Sequence, residues 1–420
     1  MTFRIFTLSI AFLFGLLACV SNTSSGQENW TRFHGPNGTG LAAEAKLPSE
    51  ITDDNFEWKI ELAGTGSSAP VIWGDKIFVT GCDQKTAALT LQCLDRKTGK
   101  EIWKKSFQSE PYKVHGRNSF ASSTPAVDKN HVYIVYASPA HTMLVAVTHD
   151  GEKKWERDFG TWVSQHGFGG SPIIYKDKVI FFNSQQADRV RRGEPGESHM
   201  IALEAATGDD VWKTKLKATR SCYAVPCVYK DSSDKEQIVS CNTGDGFFSL
   251  DPETGIRNWS AMPFAQRTVA STLVADGLII GSCGSGGGGN YLVAIRPGDT
   301  AQPEKAFQIQ SANYVPSPIA VGGKLFLFTD KGIGQCIDLK TGKQIWQERL
   351  SRGFSGSPVA TADHIYLMDE EGNLLVIAAS DKYKLVSKHS LGEPTRSTPA
   401  ISNDKMYLRT DSHLICVGNK

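Results

Sequence analysis

The chain has 420 residues, with 45 Lys and Arg against 44 Asp and Glu and a formal charge of +1. That balance gives no electrostatic footprint for nucleic acid or for a charged membrane surface. The length is above the usual domain size, which a repeat architecture built as one domain accommodates.

From the N-terminus, Arg4 followed by the apolar run 5–17 reads as a targeting segment too short to span a bilayer comfortably. Two cleavage readings compete. Leu16, Leu17, Ala18 and Cys19 resemble a bacterial lipobox, with Cys19 as the lipidated N-terminus and 20–27 as a tether. Alternatively an ordinary signal peptidase cuts nearer Gln27. Either reading exports the protein, to the periplasm or cell envelope, with membrane contact only through a lipid. Residues 28–55 then form a Gly/Pro/Asn-rich lead-in, with Trp30 and Phe33 available to pack on the body of the protein.

From residue 67 one pattern recurs eight times. A short apolar strand opens with a Ser, Pro and small-residue signature: SSAPVI (67–72), SSTPAV (122–127), GGSPII (169–174), YAVPCV (223–228), ASTLVA (270–275), VPSPIA (315–320), SGSPVA (355–360) and RSTPAI (396–401). Seven copies hold a proline in register, and Leu273 takes its place in the fifth. Most copies close on a turn and a tryptophan strand, at Trp103, Trp155, Trp212, Trp259 and Trp346, with Phe307 in the fifth copy and Val386 in the seventh. Thr-Gly before a short strand is a hairpin signal, because Gly takes the positive φ of the turn. Two further apolar runs lie between, such as HVYIVYA (131–137) and TMLVAVT (142–148). Alternation, β-branching and Gly/Asp/Asn breaks make them strands. No convincing amphipathic helix comes after the leader.

Each copy is thus four short antiparallel strands, which bury both faces only when neighbours stack. The period predicts an all-β, eight-bladed β-propeller over 56–420. The last copy has three strands and lacks its tryptophan strand, while a spare FEWKIEL (56–62) with Trp58 precedes the first opening. The N-terminal strand is expected to complete the C-terminal blade and leave no open edge. A solenoid, the alternative, needs capping repeats with polar outer faces. The tryptophans, Trp58 included, are expected to dock between adjacent blades as packing anchors.

Nine cysteines in an exported chain suggest disulfides, but register argues otherwise. Cys82, Cys241 and Cys283 end second strands, and Cys93, Cys336 and Cys416 share a third-strand position. Equivalent positions in different blades lie far apart, so these thiols are expected to be buried and unpaired. No CxxC supports zinc or redox chemistry. No HExxH, GxSxG, Walker or EF-hand signature is present. GSCGSGGGGN (281–290) precedes a strand rather than a helix and is expected to be a long, floppy hairpin loop.

One constellation emerges once the copies are aligned. Six residues before the proline position lie His166, Arg220, Arg267 and Arg352, with Arg396 three before Pro399 and Arg117 and Asn118 ahead of the second opening. In a propeller these segments form the channel mouth. Converging guanidinium groups make an anion site. For any single arginine, an edge-covering ion pair is the plainer expectation. A metal site from His115 and His166 is the weaker reading, since loop histidines are more often hydrogen-bonded.

DRKTGKEIW (95–103) and DLKTGKQIW (338–346) resemble the tryptophan-docking repeat of the pyrroloquinoline quinone (PQQ) propellers. That superfamily holds quinoprotein alcohol dehydrogenases and the BamB lipoproteins of outer-membrane β-barrel assembly, which bind no cofactor. The lead-in WTRFHGPNGTGLA (30–42) resembles that of exported PQQ-like propellers of planctomycete-type bacteria. The dehydrogenases carry two adjacent cysteines over the quinone, and Glu, Asn and Asp on a calcium ion. This chain has no Cys-Cys pair, and Glu393 is the only acid in the mouth register. The resemblance therefore implies a non-enzymatic binding or scaffold protein of the cell envelope with no cofactor. Its partner would be a protein, an anionic small molecule or a glycan. A PQQ-dependent dehydrogenase, its tricarboxylate held by the arginines, and an acidic-glycan binder are the alternatives.

Overall fold

The computed structural model describes residues 28–188, 190, 194–262, 264–298 and 302–419. The leader and Cys19 lie outside the described residues. The strands form eight four-stranded antiparallel sheets. Blade 1 runs Val71–Trp73, Lys76–Cys82, Leu89–Asp95 and Glu101–Phe107, each strand beside the next, and six further blades repeat this order through Leu385–Ser390. Blade 8 takes Ala400–Ser402, Lys405–Arg409 and His413–Gly418 from one end of the chain and Phe56–Glu61 from the other. Trp58 pairs with Cys416 and Ile60 with Leu414, so the first strand closes the ring. Among the described residues there is no α-helix, only two 3-10 turns at Pro36–Gly38 and Asp53–Asn55.

Blade stacking explains the sequence pattern. His131–Ala137, in the middle of blade 2, is buried at every position, because neighbours cover both faces. Lys153–Asp158, its outer strand, alternates exposed and half-buried residues. The tryptophans sit on these outer strands behind a bulge. Cys93 faces Trp103 and Leu94 faces Glu101, leaving Ile102 as the extra residue. The bulge re-aims the ring at the next blade. Trp103 Nε1 donates to His149 O (2.9 Å), Trp155 to Ala205 O (3.0 Å), Trp212 to Pro252 O (3.0 Å) and Trp346 to Ser380 O (3.1 Å). Trp259 is half-buried and packs against the cluster that joins blades 4 and 5. The turn glycine of the next blade lies against the ring. A Cβ at Gly255 would come 2.6 Å from Trp212, and one at Gly99 2.8 Å from Trp58. These glycines are needed for contact as well as for their positive φ.

Two registers differ from the sequence reading. Leu273 pairs with Ile280 as Ile319 pairs with Phe326, so Thr272, not Leu273, stands at the proline position. Val376 faces Ser387 as Cys336 faces Trp346, so Ser387, not Val386, replaces the seventh tryptophan. The lead-in fills that gap: the Ile51 N–H donates to Ser387 Oγ (3.1 Å), and Ile51 is buried. The eight cysteines from Cys82 to Cys416 are all buried and unpaired.

The lead-in also crosses one end of the channel. Trp30 bridges Ile72 in blade 1, and Thr31 O accepts from Val127 N (2.8 Å) in blade 2. Arg32 donates to Pro226 O (2.7 Å) in blade 4, and His34 Nε2 bonds Pro358 O (2.6 Å) in blade 7. Burial pushes the His34 imidazole down to about 4. These contacts fall at and just beyond the proline positions, so this segment plugs the channel there.

Candidate functional site: the channel cavity

The hydroxyl residue before the proline is the staple between blades. Its oxygen accepts a backbone N–H of the preceding blade: Thr124 N to Ser171 Oγ (2.9 Å), Ser271 N to Ser317 Oγ (3.0 Å), Ser317 N to Ser357 Oγ (2.9 Å) and Ser357 N to Thr398 Oγ1 (2.9 Å). That bonding explains why Ser or Thr recurs beside Pro. Just before the proline the chain is extended, so alternate residues face the axis. The positions one and three before the proline line a cavity of about 440 Å³. At three, all eight blades contribute, among them Ser67, Tyr223 and Arg396.

Arg117, Asn118, His166, Arg267 and Arg396 line this cavity, whereas Arg220 and Arg352 do not. Arg220 turns to Asp188 at 3.9 Å. Arg352 is 89% exposed beside Glu371 at 3.4 Å. Register is the cause. Counted from Thr272, Arg267 stands five residues before the proline position, not six, and one step along an extended chain reverses the side it faces. His166 stands at six yet reaches inward, its ring 5.3 Å from that of His115 in an edge contact.

Arg267 is buried, with Nε on Ser221 O at 2.7 Å and one terminal nitrogen 3.4 Å from Gln186 Oε1. Arg396 is half-buried, and its Nε has no hydrogen-bond partner in the described residues. Arg117 belongs to a strap, residues 108–121, that spans the mouth. The strap is fixed on one side by His115 N and Asn118 Nδ2, both donating to His166 O at 3.0 Å. On the far side Arg117 lies 3.6 Å from Glu370 and 4.0 Å from Asp330, in blades 7 and 6. Asp330 is buried, which raises its pKa, and its Oδ1 has no hydrogen-bond partner.

Three guanidinium groups reach the cavity and no carboxylate is among its lining residues. Arg117 already faces Glu370 and Asp330, and Glu370 accepts from the lining Ser355 Oγ at 2.5 Å, so of the three Arg267 and Arg396 are the guanidinium groups with no carboxylate in ion-pair range among the described residues. Burial, followed by Arg267 and His115, pushes His166 down to about 4, so its imidazole is neutral at pH 7. Burial pushes Tyr223 up to about 12, and its hydroxyl donates to Gly167 O at 2.9 Å. Several of these residues escape an alignment on one register. Tyr223 needed counting back by twos. Asp330 and Glu370 share a hairpin-tip position, in FTDKG (328–332) and MDEEG (368–372). The Gly-rich loop is held rather than floppy: Gly284 bridges Arg267, Asn290 Oδ1 accepts from Ser285 N at 2.9 Å, and Ser285 and Gly286 reach the cavity. Among the described residues no group of three or more His, Cys, Asp or Glu is placed to hold a metal ion.

The crystal structure of BamB from Moraxella catarrhalis is similar, with a TM-score of 0.61 and 15% identity, covering 87% of this chain and 97% of that one. A quinohemoprotein alcohol dehydrogenase from Comamonas testosteroni matches with a TM-score of 0.66 and 14% identity, covering 93% and 81%. A europium-containing methanol dehydrogenase matches at 0.53 and 12%, covering 84% and 89%. At these identities the likeness shows the fold alone. No curated protein matches the sequence. The PQQ-like family described as outer membrane protein assembly factor BamB matches residues 14–221 and 329–419, and the chain belongs to that family.

Proposed function

We propose that this is an exported binding propeller whose plugged channel captures a small anion, acting as a binding or scaffold protein of the cell envelope. The convergence of Arg267 and Arg396, neither in ion-pair range of a carboxylate among the described residues, on a cavity that Arg117 also reaches carries the reading. Like charges brought together are stabilised by a bound anion, and Arg offers paired donors to carboxylate oxygens. Export rests on the apolar run 5–17, and a lipid anchor on Cys19. The likeness of residues 30–42 to the exported planctomycete-type propellers supports the same location. A protein partner fits the BamB relationship.

The dehydrogenase reading fits the residues less well. Guanidinium groups suit the carboxylates of PQQ. The lining, however, offers no carboxylate to a metal beside the quinone, and no adjacent cysteines stand over it.

The test is thermal stability in a panel of organic carboxylates at low and high salt, for the natural protein and for Arg117→Gln/Arg396→Gln. That variant leaves the buried Arg267 untouched. At least one carboxylate should raise the melting temperature, less so at high salt, and the variant should lose the effect. If no carboxylate stabilises the protein, the anion reading fails. A stoichiometric quinone absorption band in protein from its native host would favour the dehydrogenase instead.

A further inference from the structure

The hydroxyls that staple the blades have bonding capacity left over. A serine or threonine hydroxyl carries one proton and two acceptor lone pairs. At Ser171, Ser271, Ser317, Ser357 and Thr398 the oxygen accepts one backbone N–H from a neighbouring blade. Among the described residues none of the five donates to a protein acceptor, and all five line the cavity. Each therefore presents a proton and a second lone pair to the channel. The girdle they form stands one residue before the proline position, at the plugged end, where Phe33 of the lead-in closes the cavity. The charges stand nearer the mouth, Arg396 three residues before the proline position, Arg267 five, and Arg117 on the strap. The cations thus stand towards the open end, where Ser67, Ser122 and Ser355 share the ring of Arg396, and the closed end carries hydroxyls without charge.

We infer that the cavity takes a small polyhydroxy carboxylate, a sugar acid of monosaccharide size, and this rests on the anion reading of the same cavity. The carboxylate faces Arg267 and Arg396, and the hydroxylated end enters the girdle, where each side both donates and accepts. A sulfate or phosphate would find its strongest partners at the mouth only. Sulfate oxygens accept but do not donate, and phosphate near pH 7 has only about one or two O–H groups to give, so most second lone pairs of the girdle would go unmatched. A long acidic polymer has no path through a channel closed at one end and enters only by a terminus. The cavity, about 440 Å³, falls in the size range of small-molecule sites.

The experiment is calorimetric titration of the full chain with glucuronate, hexanoate and glucose. Glucuronate should bind at least about tenfold more tightly than either of the others, since each lacks one half of the match. Ser317→Ala should weaken glucuronate by about five- to tenfold and leave hexanoate unchanged, the loss of a single hydrogen-bonding hydroxyl. Equal affinity for glucuronate and hexanoate overturns the girdle and leaves the anion reading standing. Glucose binding as tightly as glucuronate overturns the placement of the carboxylate at the arginines. Failure of both acids to bind overturns this inference and the anion reading together. Should Ser317→Ala not fold, the three ligands compared on the unaltered protein decide alone.

Discussion

His166 shows what the channel does to a single side chain. Burial and two cationic or titratable neighbours, Arg267 and His115, hold its pKa at about 4 against an ordinary 6.5. Between those values the unfolded chain takes up a proton that the folded protein refuses. Stability is therefore full above pH 6.5 and falls as pH drops towards 4. His166→Gln should make that slope shallower, with His34 still contributing. An identical slope in urea melts across this range would show that His166 is not a titrating group. The thiols sit at the other extreme. Burial pushes Cys227 and Cys241 up to about 12, where the reactive thiolate is scarce. Denatured, unreduced protein should titrate with eight thiols from Cys82 to Cys416. Two or fewer would reveal a disulfide framework.

At the scale of the element, the docked tryptophan and the turn glycine beneath it act as one unit. Trp212 is buried, so Trp212→Ala should lose about 3–5 kcal/mol. The half-buried Trp103 should lose less. Gly255→Ala tests the other half of the contact. Its φ is +69 and its new Cβ would stand 2.6 Å from the Trp212 ring, whereas Gly277, at +74, has open space around it. Gly277→Ala carries only the backbone strain, roughly 1–2 kcal/mol. Gly255→Ala should cost clearly more in chemical denaturation, and equal losses would mean that the ring yields. These units were legible in the sequence because Thr-Gly and Trp are local signals at fixed spacing. The cavity was legible only in part. Arg396, His166 and Arg267 could be set near the mouth, but an alignment through Leu273 put Arg267 in phase with Arg220 and Arg352. Only strand pairing through Thr272 shows that it faces the other way. Asp330 and Glu370 reach Arg117 across the whole ring, and nothing in local spacing marks so distant a contact.

For the whole molecule, closure is the controlling feature. Phe56–Glu61 pairs with His413–Gly418, and Arg409, fully buried, ties blade 8 to blade 1 through Ser68 O at 3.1 Å. Deleting residues 30–62 removes the closing strand and the channel plug together. The product should expose a sheet edge, lose solubility and melt less cooperatively. A truncated protein that melts as sharply and as hot as the parent would show that the ring does not depend on this strand. The same pairing sets the order of events at birth. Glu61 meets His413, so Phe56–Glu61 leaves the ribosome without its partner and stays unpaired until His413–Gly418 has been made. Contacts of such sequence separation slow folding, and a chain cut short by its final strand leaves both ends of the ring unpaired. Synthesis of His413–Gly418 thus becomes a precondition for a closed ring, and chains that stop short of it are expected to be cut sooner by proteases.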